Sequence, residues 1–143
     1  MAQAEGLKVP FVGPEAIREE LLETFENVDR EQVIYTETQE FSAVCPFSGL
    51  PDVATVIIIY RPDAERAIEL KSLKYYLTSF RQVGIYQEHA TTRIFNDVSN
   101  ALFLSNPDDS MVVKTVYNKR GGFDTVVTRG NVDLLEHGYD KPI

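Results

Sequence analysis

A chain of 143 residues, 43% hydrophobic and 25% charged, reads as one soluble globular domain spanning 1–143, long enough to bury roughly 68–70% of its unfolded surface. A net charge of −8 argues against a general nucleic-acid binder, which needs a basic face, and against an anionic membrane surface as partner. A single cysteine, Cys45, excludes an internal disulfide and a cysteine-rich zinc site, so no metal is expected.

In chain order, residues 1–14 hold Gly6, Pro10, Gly13 and Pro14 and read as an irregular arm. Met1 to Pro10 has no apolar stretch of signal-peptide length, and the apolar run Val56 to Tyr60 is too short to span a bilayer. A reducing cytoplasm is the expected location. Ile17, Leu21, Leu22 and Phe25 recur at helical spacing, which predicts a short helix over Glu15 to Phe25. Val33 to Phe41 predicts a strand running up to Cys45. Cys45 to Asp52 holds two prolines and a glycine and predicts a loop. Val53 to Arg61 predicts a second strand.

Two helices are expected next. Ala64 to Arg81 turns Ile68, Leu73, Tyr76, Leu77 and Phe80 to a core, and Tyr86 to Phe103 does so with Ala90, Ile94, Val98, Ala101 and Leu102. Asn106 to Asp109 reads as a turn. Strands over Met111 to Tyr117 and Phe123 to Thr128 flank a hairpin turn at Asn118 to Gly122. The order β-β-α-α-β-β predicts an α+β unit: a four-stranded antiparallel sheet with two helices on one face. Its other face must be polar or covered by a partner.

Several groups could carry chemistry, and each has a plainer reading beside it. A cysteine thiolate is a strong nucleophile when its pKa is lowered, and Cys45 stands in a loop that could present it. A lone cysteine is equally a small buried hydrophobe. Asp52, seven residues on, could protonate a nitrogen or activate the thiol. It could also be an ordinary turn aspartate. Lys71 and Lys74 share a helix face and could hold phosphate, or form a solvated surface. Arg120 precedes Gly121 and Gly122, whose backbone can approach a ligand closely, or which make a plain hairpin. Glu88 could accept two N–H bonds from a guanine-like edge, with Tyr86 stacking on the ring. It could also be a favourable acid in a helix first turn. His89 and His137 read as surface residues. No dinucleotide-binding glycine fingerprint is present.

Taken together, these residues resemble the NADPH-dependent 7-cyano-7-deazaguanine reductases (QueF) of queuosine biosynthesis. Glu69-Leu70-Lys71-Ser72-Leu73-Lys74-Tyr75-Tyr76 matches the family signature at every position. Cys45-Pro46-Phe47-Ser48-Gly49-Leu50-Pro51-Asp52 matches the nucleophile loop, and Phe80-Arg81 and Arg120-Gly121-Gly122 also match. The resemblance runs over residues 33–128. It departs at Gln87, where the family carries a histidine that helps to position substrate and assist proton transfer.

The resemblance implies the tunnelling fold, with sheets of a homo-oligomer closing into five-subunit barrels and two such rings stacked. It implies NADPH as cofactor, with Lys71, Lys74, Arg120 and Gly121 holding it. Cys45 and Asp52 are implied as catalytic, and Tyr86, Gln87, Glu88, Ile68, Glu69 and Leu70 as substrate-binding. The implied reaction turns a nitrile into a primary amine through a cysteine thioimide, on a purine-like small molecule, with neither nucleic acid nor membrane as partner. Two rivals are a zinc-dependent cyclohydrolase of the same fold, which one cysteine and two histidines do not supply, and a purine-binding ring scaffold with impaired catalysis, for which Gln87 is the only hint.

Overall fold

In the computed structural model, which describes residues 9–137, the runs rich in valine, isoleucine and threonine form strands. These are β1 (Thr24–Glu26), β2 (Ile34–Val44), β3 (Pro51–Tyr60), β4 (Arg66–Ile68), β5 (Met111–Arg120) and β6 (Phe123–Gly130). The four long strands make one antiparallel sheet in the order β2-β3-β5-β6. Helices α1 (Leu70–Thr78) and α2 (Gln87–Ala101) lie between β4 and β5, and a four-residue helical turn, α3 (Pro107–Ser110), leads into β5. The α+β reading and the order of the long elements therefore stand.

Alternation along the strands decides which face the helices cover. Phe41, Ala54, Val56, Ile58, Tyr60, Val113 and Tyr117 form one core with Leu73, Tyr76 and Leu77 of α1 and Ala90, Ile94, Phe95 and Val98 of α2. Phe80 closes the middle of it, meeting Phe41 and Tyr76 edge-on at centroid distances of 5.2 and 5.4 Å. Each such fully buried large side chain contributes about 1.5–3 kcal/mol. On the opposite face Leu134, from the 3-10 segment Val132–His137, covers Ile59 and Val112. Val53 and Val126 on the same face are exposed.

Two predicted helices need correction. No helix forms over 15–25: the segment makes 3-10 turns at Pro14–Ala16 and Glu19–Leu21 and then β1. Ile17 is buried as predicted, but Thr24–Glu26 is drawn into an antiparallel ribbon with β4. The first long helix starts at Leu70, not Ala64, because Arg66–Ile68 is the other strand of that ribbon. Glu69 sets the new start by accepting hydrogen bonds from the N–H groups of Lys71 and Ser72, both at 2.8 Å. The turn predicted at 106–109 is largely α3. Of the predicted irregular arm, residues 1–8 lie outside the described residues.

Candidate active site

The loop that follows Cys45 is closed by its own backbone. The N–H of Cys45 donates to the Leu50 carbonyl (2.9 Å), and that of Gly49 donates to the Cys45 carbonyl (2.8 Å). Gly49 has φ of 74°, and a Cβ there would sit 2.8 Å from the Val9 carbonyl oxygen, so only glycine fits. The end of β2 is then tied to the chain entering α2. Val44 donates to the Val83 carbonyl (2.9 Å) and accepts from the N–H of Ile85 (3.0 Å). Tyr86, Gln87 and Glu88 follow at once, which brings the helix start beside Cys45.

Asp52, opposite Ala43 in the β2–β3 ladder, is 4% exposed. Its carboxylate is engaged by the Arg120 guanidinium, which also reaches the Pro51 carbonyl (3.3 Å) and the Ser48 hydroxyl (3.4 Å). Arg120 gets there because the β5–β6 ladder shifts register between Tyr117 and Arg120, the kind of irregularity that re-aims a side chain. Gly121 and Gly122, at φ 56° and 86°, make the two-residue turn that follows.

Cys45, Asp52, Tyr86, Gln87, Glu88 and Arg120 line one cleft of about 290 Å³, together with Asn118, Phe123 and Thr125. That is near the lower end of ligand-site sizes and suits one small heterocycle. Half-exposed Tyr86 and largely exposed Phe123 offer aromatic faces to it. His89 meets the Tyr86 ring edge-on at 5.9 Å and is not among the cleft residues. Ser48, Asn118, Phe123 and Thr125 escaped the sequence reading. Only the position of Ser48 inside the cysteine loop could have signalled one of them.

Burial pushes the Cys45 thiol up, but the Ser48 hydroxyl and the backbone N–H groups of Ser48 and Phe47 outweigh it, and the thiol ends below its usual range despite the charge of Asp52. Those donors stabilise the thiolate, the reactive form. Ser48→Ala removes one donor, so its thiol pKa is expected to rise. The pH midpoint of Cys45 alkylation by iodoacetamide measures this, and a midpoint equal to or below that of the parent chain would refute it.

The remaining candidates lie elsewhere in the chain. Ile68 ends β4, its N–H donating to the Tyr60 hydroxyl (2.9 Å), and Glu69 is spent on capping α1. Its capping bonds, Lys71 N–H first, hold the Glu69 carboxyl below the usual range. Leu70 and Lys74 line a second cleft of about 200 Å³ against edge strand β2, with Thr36, Leu73, Leu77 and Arg81. Lys74 faces Glu40 across 3.6 Å, both well exposed, and Lys71 stands over the Tyr75 ring at 5.8 Å. Within one chain, then, Arg120 sits with the cysteine, Gly121 follows it in the turn without lining the cleft, and the two lysines lie apart. Among the described residues no three metal-ligating side chains converge, and no helix is long and apolar enough to cross a membrane.

A family model described as QueF-like protein matches residues 51–134. The NADPH-dependent 7-cyano-7-deazaguanine reductases of Thermotoga petrophila and Thermotoga maritima are each 50% identical to this chain over 138 residues, covering 96% of it and 98% of the relative. The chain belongs to the QueF family. The reductase of the same name from Caldicellulosiruptor bescii is 45% identical over 117 residues, covering 80% of this chain and 86% of that one. A crystal structure of the archaeosine synthase QueF-Like in the apo form superposes with a TM-score of 0.55 at 23% identity, over 67% of this chain and 89% of that chain, and so shares the QueF fold.

Proposed function

We infer that this QueF chain is an NADPH-dependent oxidoreductase that reduces the nitrile of 7-cyano-7-deazaguanine to the aminomethyl group, a step in queuosine tRNA-modification biosynthesis. The observation that carries the reading is the convergence of Cys45, Asp52 and the Tyr86-Gln87-Glu88 helix start on one small cleft. The names and identities of its relatives support the same substrate and cofactor.

Glu88 accepts the N–H groups of the purine-like edge, Gln87 adds a hydrogen bond, and Tyr86 stacks on the ring. The Cys45 thiolate attacks the nitrile carbon. A C–S bond forms and one C–N π bond opens; the Asp52 carboxylate takes the proton released by the thiol and passes it to the nitrogen, leaving a thioimide on Cys45. The nitrile is thereby converted into a protonatable C=N acceptor. NADPH, when bound, supplies the hydrides, one to the thioimide carbon and one to the later imine. Between them the C–S bond breaks and Cys45 leaves as thiolate, ready for another turnover.

Lys71, Lys74 and Arg120 are the cations that would hold the cofactor phosphates, with Gly121 leaving the backbone open beside them. Leu73 and Leu77, which line the second cleft with Lys74 and Arg81, would take one planar part of the cofactor beside its charged groups. In a single chain that cleft is apart from Cys45. A ring of subunits in which edge β2 meets a neighbour's edge β6 would unite the two, with Ile68, Glu69 and Leu70 completing the substrate pocket from the next chain. Two stacked five-membered rings, acting in the cytoplasm on a free small molecule without nucleic acid or membrane, complete the reading. Exposed Val53 and Val126 support a covered sheet face.

The test is turnover. With 7-cyano-7-deazaguanine the protein should oxidise two NADPH for each amine formed, and light scattering should give ten times the mass of one chain. Binding without NADPH oxidation would favour the impaired scaffold, and a monomer with full activity would remove the shared-site arrangement.

A further inference from the structure

The start of α2 carries the substrate-facing side chains, yet no side chain caps it: its N-cap residue is Tyr86, which makes no capping hydrogen bond. What holds that turn comes from below. The Gln87 carbonyl accepts from the Thr91 hydroxyl (3.0 Å) and from the Tyr117 hydroxyl (3.4 Å). Thr91 in turn shares a 2.6 Å hydrogen bond with Thr115 of β5. Thr91 and Thr115 are fully buried and Tyr117 is 4% exposed, in the layer otherwise filled by Ile94, Val98 and Val113. Valine and phenylalanine would fill the same space without polar atoms to satisfy, and these three hydroxyls satisfy one another and a carbonyl of the site.

We propose that Tyr117, Thr91 and Thr115 form a buried set of positioning residues that anchors the first turn of α2 to the sheet and so fixes where Gln87 and Glu88 meet the substrate. None of the three lines the cleft, so each acts through the Gln87 backbone. Thr91 and Tyr117 give their protons to the Gln87 carbonyl, which leaves Thr115 to donate to Thr91 at 2.6 Å or to the Val127 carbonyl at 3.5 Å. Burial first, and the negative charges of Asp52 and Glu88 in addition, push the Tyr117 hydroxyl up despite the neighbouring threonines, so it remains a donor throughout the working pH range. Thr125, the β6 partner of Tyr117, lines the cleft, which puts Tyr117 one strand away from a cleft residue.

The inference rests on the reading of Glu88 as the group that grips the heterocycle. Stopped-flow absorbance of thioimide formation in the full chain without NADPH, followed against 7-cyano-7-deazaguanine concentration, yields an apparent Kd and a limiting rate together. Tyr117→Phe and Thr91→Val should each raise the apparent Kd about fivefold and leave the limiting rate within about twofold, and Thr91→Ser, which keeps the hydroxyl, should restore it. Unchanged Kd in both hydroxyl deletions, or a change confined to the thermal midpoint, would overturn the proposal. Glu88→Gln separates the two readings. If it weakens binding strongly while the deletions do not, only the positioning role fails. If it too leaves Kd unchanged, the assignment of Glu88 fails and the positioning role with it.

Discussion

Cys45→Ala is expected to abolish the covalent adduct and to lower nitrile reduction by at least about a thousandfold. The substitution removes one sulfur atom from a half-buried position at a loop, so the fold should be little disturbed. The loop is held by backbone bonds at both ends and by Gly49, none of which involves the thiol. The loss would therefore be chemical. Intact mass after mixing with 7-cyano-7-deazaguanine, with no NADPH present, should show the parent chain gaining the mass of one substrate and the variant gaining nothing. Cys45→Ser should behave like alanine in rate, because a serine hydroxyl at neutral pH is a far weaker nucleophile without a base to activate it. Substrate should still bind the alanine variant, since Glu88, Gln87 and Tyr86 are untouched. A variant that reduced the nitrile at the parent rate would rule out covalent catalysis by this residue.

What could be read from the residues follows from how local the cause was. The second strand and α2 were legible because a run of Val and Ile, in Val53 to Tyr60, and 3.6-residue periodicity, in Ala90 to Leu102, each persist over eight or more residues. The two helix errors share a cause. Residues 15–25 and 64–69 carry helical spacing of apolar side chains, but Thr24–Glu26 and Arg66–Ile68 find each other as a ribbon across some forty residues. Tertiary pairing overrides local propensity in such short segments, and no window of sequence contains it. The same limit explains the site. The cysteine loop is contiguous, so Cys45 and Asp52 could be chosen together. That Arg120 reaches Asp52 rather than standing with Lys71 and Lys74 depends on the irregular β5–β6 ladder, which the Gly-Gly turn alone does not specify. Phe123 and Thr125 enter the cleft through that same hairpin.

Asp52→Asn is the second substitution with a large expected effect, and it separates proton delivery from binding. Asparagine keeps the shape and an oxygen for Arg120 but has no proton to exchange. Turnover should fall by about 10² to 10⁴-fold, the span usual for removal of a positioned acid or base. The adduct should still form, slowly, because the nucleophile remains, and this sets the variant apart from Cys45→Ala. Stability should change little, because Arg120 keeps 35% of its side chain in water and can turn outward when its charged partner is gone, whereas the 6% exposed carboxylate is the member that needs the pair. Arg120→Ala should accordingly be the more damaging to the fold, since it leaves Asp52 buried without a cation. A thermal midpoint that falls further for Arg120→Ala than for Asp52→Asn, together with turnover that collapses in Asp52→Asn, is the expected pair of results. Turnover at the parent rate in Asp52→Asn would place the proton source elsewhere in the cleft. In that case the Arg120–Asp52 pair would be a brace for the cysteine loop and not part of the chemistry.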